Sequence, residues 1–177
     1  MKKIDFSSVQ EVTENNRPGG GGYLCRIIKA EDVPDKEYLR LEYDFADGQF
    51  KGYYQYRKDQ YGYWGGHYIR SYKEKALPFF KRMLSAVGKS NKDFIWKDDE
   101  HDLEGKLVGL VLGEEEYEAN DGTIKTRTYV DREISLEDLQ NKKFKVPEKK
   151  CLVREAETTG NEGFMPIPDN IPDGIPF

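Results

Sequence analysis

Apolar and polar residues alternate cleanly from Glu37 to Phe45: Leu39, Leu41, Tyr43 and Phe45 fall on one face, and Tyr38, Arg40, Glu42 and Asp44 on the other. That period of two predicts a strand with one buried face. A compact β-prone segment from Tyr23 to Ala30 predicts the strand before it. Asp47-Gly48 reads as the left-handed turn of a hairpin that leads into a third strand from Gln49 to about Arg57. The period then changes. After a loop rich in glycine and aromatic residues, Ser71-x-x-Glu74 spells a capping box, and Phe79, Phe80, Met83, Leu84 and Val87 form a helical apolar stripe. Pro78 either bends a helix begun at Ser71 or occupies its first turn, and Gly88 is the expected stop. Two further strands, Lys106 to Glu118 and Thr123 to Ile134, flank Asn120-Asp121-Gly122, a hairpin signal, and Ser135-Leu136-Glu137-Asp138 predicts one closing helical turn.

The predicted order is strand, strand, strand, helix, strand, strand. That order defines a mainly β fold, a five-stranded OB barrel with one helix between strands 3 and 4. An RRM needs a helix directly after its first strand, and a β-sandwich needs more strands than these. The expected organisation is a flexible lead-in over residues 1–22, ending in Pro18-Gly19-Gly20-Gly21-Gly22, a nucleic-acid-binding domain over 23–146, and a disordered, acidic, proline-rich tail over 147–177. No apolar run approaches the length of a membrane helix and no signal peptide opens the sequence, so a soluble, cytoplasmic protein that does not engage membranes is expected. Cys25 and Cys151 stand alone, and with only His67 and His101 beside them neither a disulfide framework nor a zinc site is encoded.

Charge alters this picture through its placement. The chain carries a net charge of −5, which by itself argues against a nucleic-acid ligand. Yet residues 155–177 hold five acidic residues and no Lys or Arg, so the remaining body is neutral. Inside the body, residues 51–82 hold eight basic residues against Asp59 and Glu74. Eight aromatic residues lie between Lys51 and Tyr72, more than a small barrel can bury. Rings interleaved with cations are what unstacked bases and phosphates require. The expected strand-binding residues are Lys51, Tyr53, Tyr56, Arg57, Tyr61, Tyr63, Trp64 and Arg70, with Arg26, Arg40, Lys125 and Arg127 extending a basic sheet face. For any one of these tyrosines a place in the core is the simpler reading, and for any one of these cations a solvated surface is.

No phosphate-binding loop, nucleophile with a partnered histidine, cofactor motif or metal-ligand set is visible, so no catalytic residue, metal or cofactor is expected and the protein is read as a binder, not an enzyme. The run Glu114, Glu115, Glu116 and Glu118 reads as a solvated strand end.

Beyond Val146 apolar periodicity is lost, but the tail is not purely polar. Phe164-Met165-Pro166-Ile167 and Ile171-Pro172-Asp173-Gly174-Ile175-Pro176-Phe177 place apolar residues among acids. Acidic residues followed by Ile-Pro-Phe resemble the C-terminal tip of bacterial single-stranded-DNA-binding proteins. The resemblance implies that Asp173, Ile175, Pro176 and Phe177 dock replication and recombination proteins. The tip differs in having fewer acids, with Gly174 where an acid is common. The body resembles a family of small proteins encoded by phages and prophages of Gram-positive bacteria, through Asp35-Lys36-Glu37-Tyr38-Leu39 and Ser71-Tyr72-Lys73-Glu74-Lys75-Ala76-Leu77-Pro78-Phe79-Phe80. Some of those are taken as single-stranded-DNA-binding proteins. The expected function is therefore to coat and protect single-stranded DNA during phage replication and recombination and to recruit partners through the tail, with homo-oligomers compatible with that role. The competing readings are an OB-type adaptor that binds only proteins and, more remotely, a sugar-binding or nuclease domain.

Overall fold

The computed structural model describes residues 17–152. The tail tip assigned to partner docking lies outside them. Five strands, β1 (Gly21–Val33), β2 (Tyr38–Phe45), β3 (His67–Ser71), β4 (Leu107–Glu118) and β5 (Ile124–Ile134), form one antiparallel sheet in the order β3-β2-β1-β4-β5. Three helices accompany it: α1 (Tyr53–Tyr61), α2 (Leu77–Ser90) and α3 (Leu136–Gln140). No strand of the sheet pairs β3 with β5 through its backbone, so the sheet is not closed among the described residues. No helix of these residues is long and apolar enough to cross a membrane.

The alternation in β2 has the predicted effect. Leu39, Leu41, Tyr43 and Phe45 are buried and Arg40 is exposed. They meet Cys25, Ile27 and Ala30 from β1 and Val108, Leu110 and Leu112 from β4 in one core. Each fully buried Leu or Ile contributes about 1.5–3 kcal/mol. Helix α2 covers this core with Phe80, Met83, Ala86 and Val87, spaced as one helical face. It packs against β3, β4 and β5. Pro78 sits in its first turn, where the missing N–H costs nothing.

Two details of this helix differ from expectation. Ser71 is not its cap: the Ser71 hydroxyl donates to the Glu37 carbonyl at 3.0 Å and accepts from the Lys73 N–H at 3.2 Å, in the turn before the helix. Gly88 is not its end. The helix runs to Ser90, because the Asn91 side chain donates to the Val87 and Leu107 carbonyls, both at 2.8 Å, and accepts from the Leu107 N–H at 3.0 Å. That stop is made by a strand distant in sequence.

The larger correction concerns the third strand. Residues expected to extend from Gln49 to Arg57 instead turn and form α1, and β3 begins only at His67. Gly48 does adopt a left-handed conformation, but as part of a non-hairpin turn. The physical cause is Asp44 at the end of β2. Its carboxylate, buried, accepts from the N–H groups of Tyr54 and Gln55, both at 3.0 Å, and from that of Phe45 at 2.8 Å. The N–H groups of Tyr54 and Gln55 stand at the start of α1, where no helical carbonyl can reach them. Gly52, at φ 71, supplies the left-handed entry. Tyr-rich sequence favours strands, but here a long-range cap and the burial of Tyr54 outweigh propensity.

Candidate nucleic-acid interface

The switch from strand to helix re-sorts the aromatic residues. In a strand Tyr53 and Arg57 alternate with Tyr54 and Tyr56; in α1, residues four apart share a face. Tyr53 and Arg57 are accordingly neighbours, with a guanidinium N–H donating to the Tyr53 hydroxyl at 3.4 Å. Tyr54 turns inward and stacks on Phe45 at 5.7 Å between ring centroids. Tyr56 turns outward to solvent.

Arg57 is the centre of the arrangement. Its guanidinium lies 5.7 Å from the Tyr53 ring centroid, 5.2 Å from that of Tyr61 and 5.6 Å from that of Tyr63. It also donates to the Tyr63 hydroxyl at 2.5 Å. This hydrogen bond, with that to Tyr53, holds its pKa above the usual arginine value. No carboxylate pairs with it among the described residues. The side chain is therefore fixed in place while its charge remains uncompensated. Tyr61 and Tyr63 are more than half exposed, with centroids 6.4 Å apart.

In front of Arg57 lies an open groove of about 770 Å³. One wall is α1, the loop after it and β3, through Tyr53, Arg57, Tyr63, His67 and Ile69. The other is β5 with the end of β4, through Thr126, Arg127, Thr128, Tyr129 and Glu115. The walls come from opposite ends of the sheet order, so curling of the sheet builds the groove. Arg70 spans it at the inner end. Its Nε donates to Glu133 Oε1 at 2.7 Å and its Nη2 to the Asp131 carbonyl at 3.4 Å, tying β3 to β5. Glu133 is fully buried. The neighbouring Tyr68 hydroxyl is buried without a hydrogen bond among the described residues, and its pKa is pushed up first by burial and then by the Glu133 charge. On β5, Tyr129 lies across from Gly113 with Lys150 Nζ 4.0 Å from its ring centroid. Gly113 leaves room for that ring, since a Cβ would stand 2.6 Å from it.

Of the residues predicted from sequence, the structure brings Tyr53, Arg57, Tyr63, Arg70 and Arg127 to the groove. Arg127 arrives paired with Glu115 at 2.7 Å. Tyr61 does not line the groove, but its ring contacts Arg57. The rest lie elsewhere. Trp64 packs against the core and donates its indole N–H to the Gly66 carbonyl at 2.9 Å. Arg26 donates to the Gly105 carbonyl at 2.8 Å. Lys125 pairs with Asp121 at 3.7 Å beside the hairpin turn. Lys51 and Tyr56 are exposed away from the groove lining, and Arg40 stands on β2 opposite Ile69, one strand behind it.

Sequence reasoning did not find Arg17, His67 and Ile69 as groove residues. Arg17, which hydrogen-bonds to the Thr126 carbonyl, sits in a segment without periodicity, so nothing local marks it. Ile69 carries a signal that is visible afterwards: an apolar side chain on the outward side of a strand, 53% exposed. No cluster of His, Cys, Asp and Glu among the described residues has the makings of a metal site.

No protein-family model matches the chain, and none of the curated proteins compared with it does.

Proposed function

We propose that the protein binds single-stranded DNA in this groove, coating and protecting the strand, and that its sheet is a barrel of the OB type drawn together at the edges of β3 and β5. The observation that carries the reading is Arg57, held in position by tyrosine hydroxyls and rings instead of by a carboxylate. A structural arginine is normally neutralised by an acid; one fixed by phenols keeps its full charge for a phosphate. Exposed rings beside it offer flat faces to bases. Unpaired bases can use them, whereas the bases of a duplex are already stacked on one another. Arg17 on the facing side adds positive charge along the same channel, where Arg127 is paired with Glu115.

The barrel reading is supported by strand order. An open order of β3-β2-β1-β4-β5 becomes a ring when its two outer strands meet, and Arg70 bridges those strands through Glu133 and Asp131. Helix α2, between β3 and β4, packs across the same gap. A role in phage DNA replication or recombination inside a bacterial cell, with Asp173, Ile175, Pro176 and Phe177 recruiting partner proteins, extends this proposal to the tail.

The test is a fluorescence titration with oligo-dT and with duplex DNA at several salt concentrations. The reading expects saturable binding to oligo-dT that weakens as salt rises, and weaker binding to duplex. Absence of oligo-dT binding at low salt, or binding indifferent to salt, would overturn it in favour of an adaptor that touches only proteins.

A further inference from the structure

A second concave surface lies on the outer side of α2. The helix and the segment after it enclose a cleft of about 650 Å³ floored by Leu77, Pro78, Phe80, Leu84 and Trp96. Phe80 and Trp96 meet edge to face, with centroids 6.0 Å apart. Leu77 on the floor of the cleft is 47% exposed, and Phe79 and Ile95, next in sequence to Phe80 and Trp96, are 54% and 68% exposed. Lys81 stands on its rim, with Glu74 and Asp98. The surrounding stretch 71–90 holds five basic residues, Lys73, Lys75, Lys81, Arg82 and Lys89, against Glu74 alone.

We infer that this cleft is the docking site for residues 164–177 of the same chain. Three observations lead there. The first is composition: Ile167, Ile171, Ile175 and Phe177 alternate with Pro166, Pro168, Pro172 and Pro176. Proline-rich segments dock in aromatic-lined grooves because their backbone is already restricted and loses little freedom on binding. The second is charge. Asp169 and Asp173, the two acids of the segment, can pair with Lys81 on the rim and with the basic residues of the 71–90 stretch, against Glu74 and Asp98 on the same rim. The third is reach. Residues 153–177 number 25; at about 3.3 Å per residue they span roughly 80 Å when extended, against a radius of gyration near 14 Å for a domain of this size. Tethering raises the effective concentration of the segment at the cleft, so a weak contact is enough to fill it. The docked segment is then unavailable to other proteins until a stronger partner withdraws it. The inference stands independently of strand binding in the groove.

Nuclear magnetic resonance of the full chain tests it, because Trp64 and Trp96 give two indole N–H signals that Trp64→Phe assigns. The expected result is that Ile167→Ser/Ile171→Ser/Ile175→Ser moves the Trp96 signal and leaves Trp64 in place. A synthetic peptide of residues 161–177 added to that variant should return Trp96 to its original position in a saturable way. Adding Lys81→Glu should weaken the peptide about fivefold or more, as loss of a rim cation predicts. An unmoved Trp96 signal in the tail variant, or a peptide response indifferent to Lys81→Glu, overturns the inference. Dilution of the unmodified chain by about tenfold should leave Trp96 unchanged; a shift on dilution would assign the segment to a second copy and overturn the intrachain form.

Discussion

At the scale of single residues, neighbours in sequence have unlike roles. Tyr53, Tyr54 and Tyr56 are a groove wall, a core ring and a solvated side chain. The proposed function therefore predicts unequal effects from similar substitutions. Tyr63→Ala should weaken oligo-dT binding by about 1–3 kcal/mol, the worth of one base stack. Arg57→Ala should weaken it and also reduce the salt dependence, since a phosphate contact is lost. Tyr56→Ala should leave the affinity unchanged. Equal losses from all three in the same titration would refute the placement of the site. Arg70 makes a different prediction, because its partner Glu133 is fully buried and would remain as an unpaired charge. Arg70→Ala should cost about 3–5 kcal/mol in urea unfolding. A loss below 1 kcal/mol would mean that Glu133 finds another partner or a proton.

At the scale of elements, α1 owes its existence to β2. A nine-residue helix is marginal by itself, and α1 has neither an apolar stripe nor a capping side chain of its own. Asp44 supplies the cap from another element. Asp44→Ala should therefore loosen α1 selectively, raising amide hydrogen exchange over residues 53–61 while β1 and β4 stay protected. A lost cap typically costs about 1–2 kcal/mol. Because α1 carries Arg57 and Tyr53, oligo-dT affinity should fall together with protection. Uniform loosening of the whole sheet would instead make Asp44 a general core residue. The elements that were legible in the sequence are those with long regular patterns. The alternation of β2, the runs of β4 and β5 around Asn120-Asp121-Gly122, and the stripe of α2 all have internal periodicity. Only β3 and α1 were misread. The five residues of β3 are too few to show a period, and α1 is built from Tyr, Gln, Arg, Lys and Asp in an order that alternation fits as well as a helix does.

At the scale of the whole molecule, charge is unevenly placed: residues 155–177 hold five acids and no base, while residues 51–82 of a body that is neutral in sum hold eight basic residues against two acids. The groove presents Arg17, Arg57, Arg70 and Arg127, of which Arg70 and Arg127 are paired with Glu133 and Glu115. With two to four phosphates neutralised, the slope of log K against log salt for a single strand should lie between about −1.4 and −2.8. A slope near zero would count against phosphate contact, and one much steeper would require cations outside the groove, such as Lys51 or Lys125.

By itself the sequence determined the mainly β character, four of the five strands, the covering helix and the separation of charge between body and tail. These follow from period and composition, which act over neighbouring residues. Which tyrosines line the groove was decided by the tertiary structure, because a carboxylate at the end of β2 turns the expected third strand into a helix, which parts Tyr56 from Tyr54 and brings Arg57 within one turn of Tyr53. The groove itself was also decided there. It lies between β3 and β5, the two outer strands of the sheet, and Arg17, Ile69 and Tyr129 line it together, a relation that no local pattern encodes.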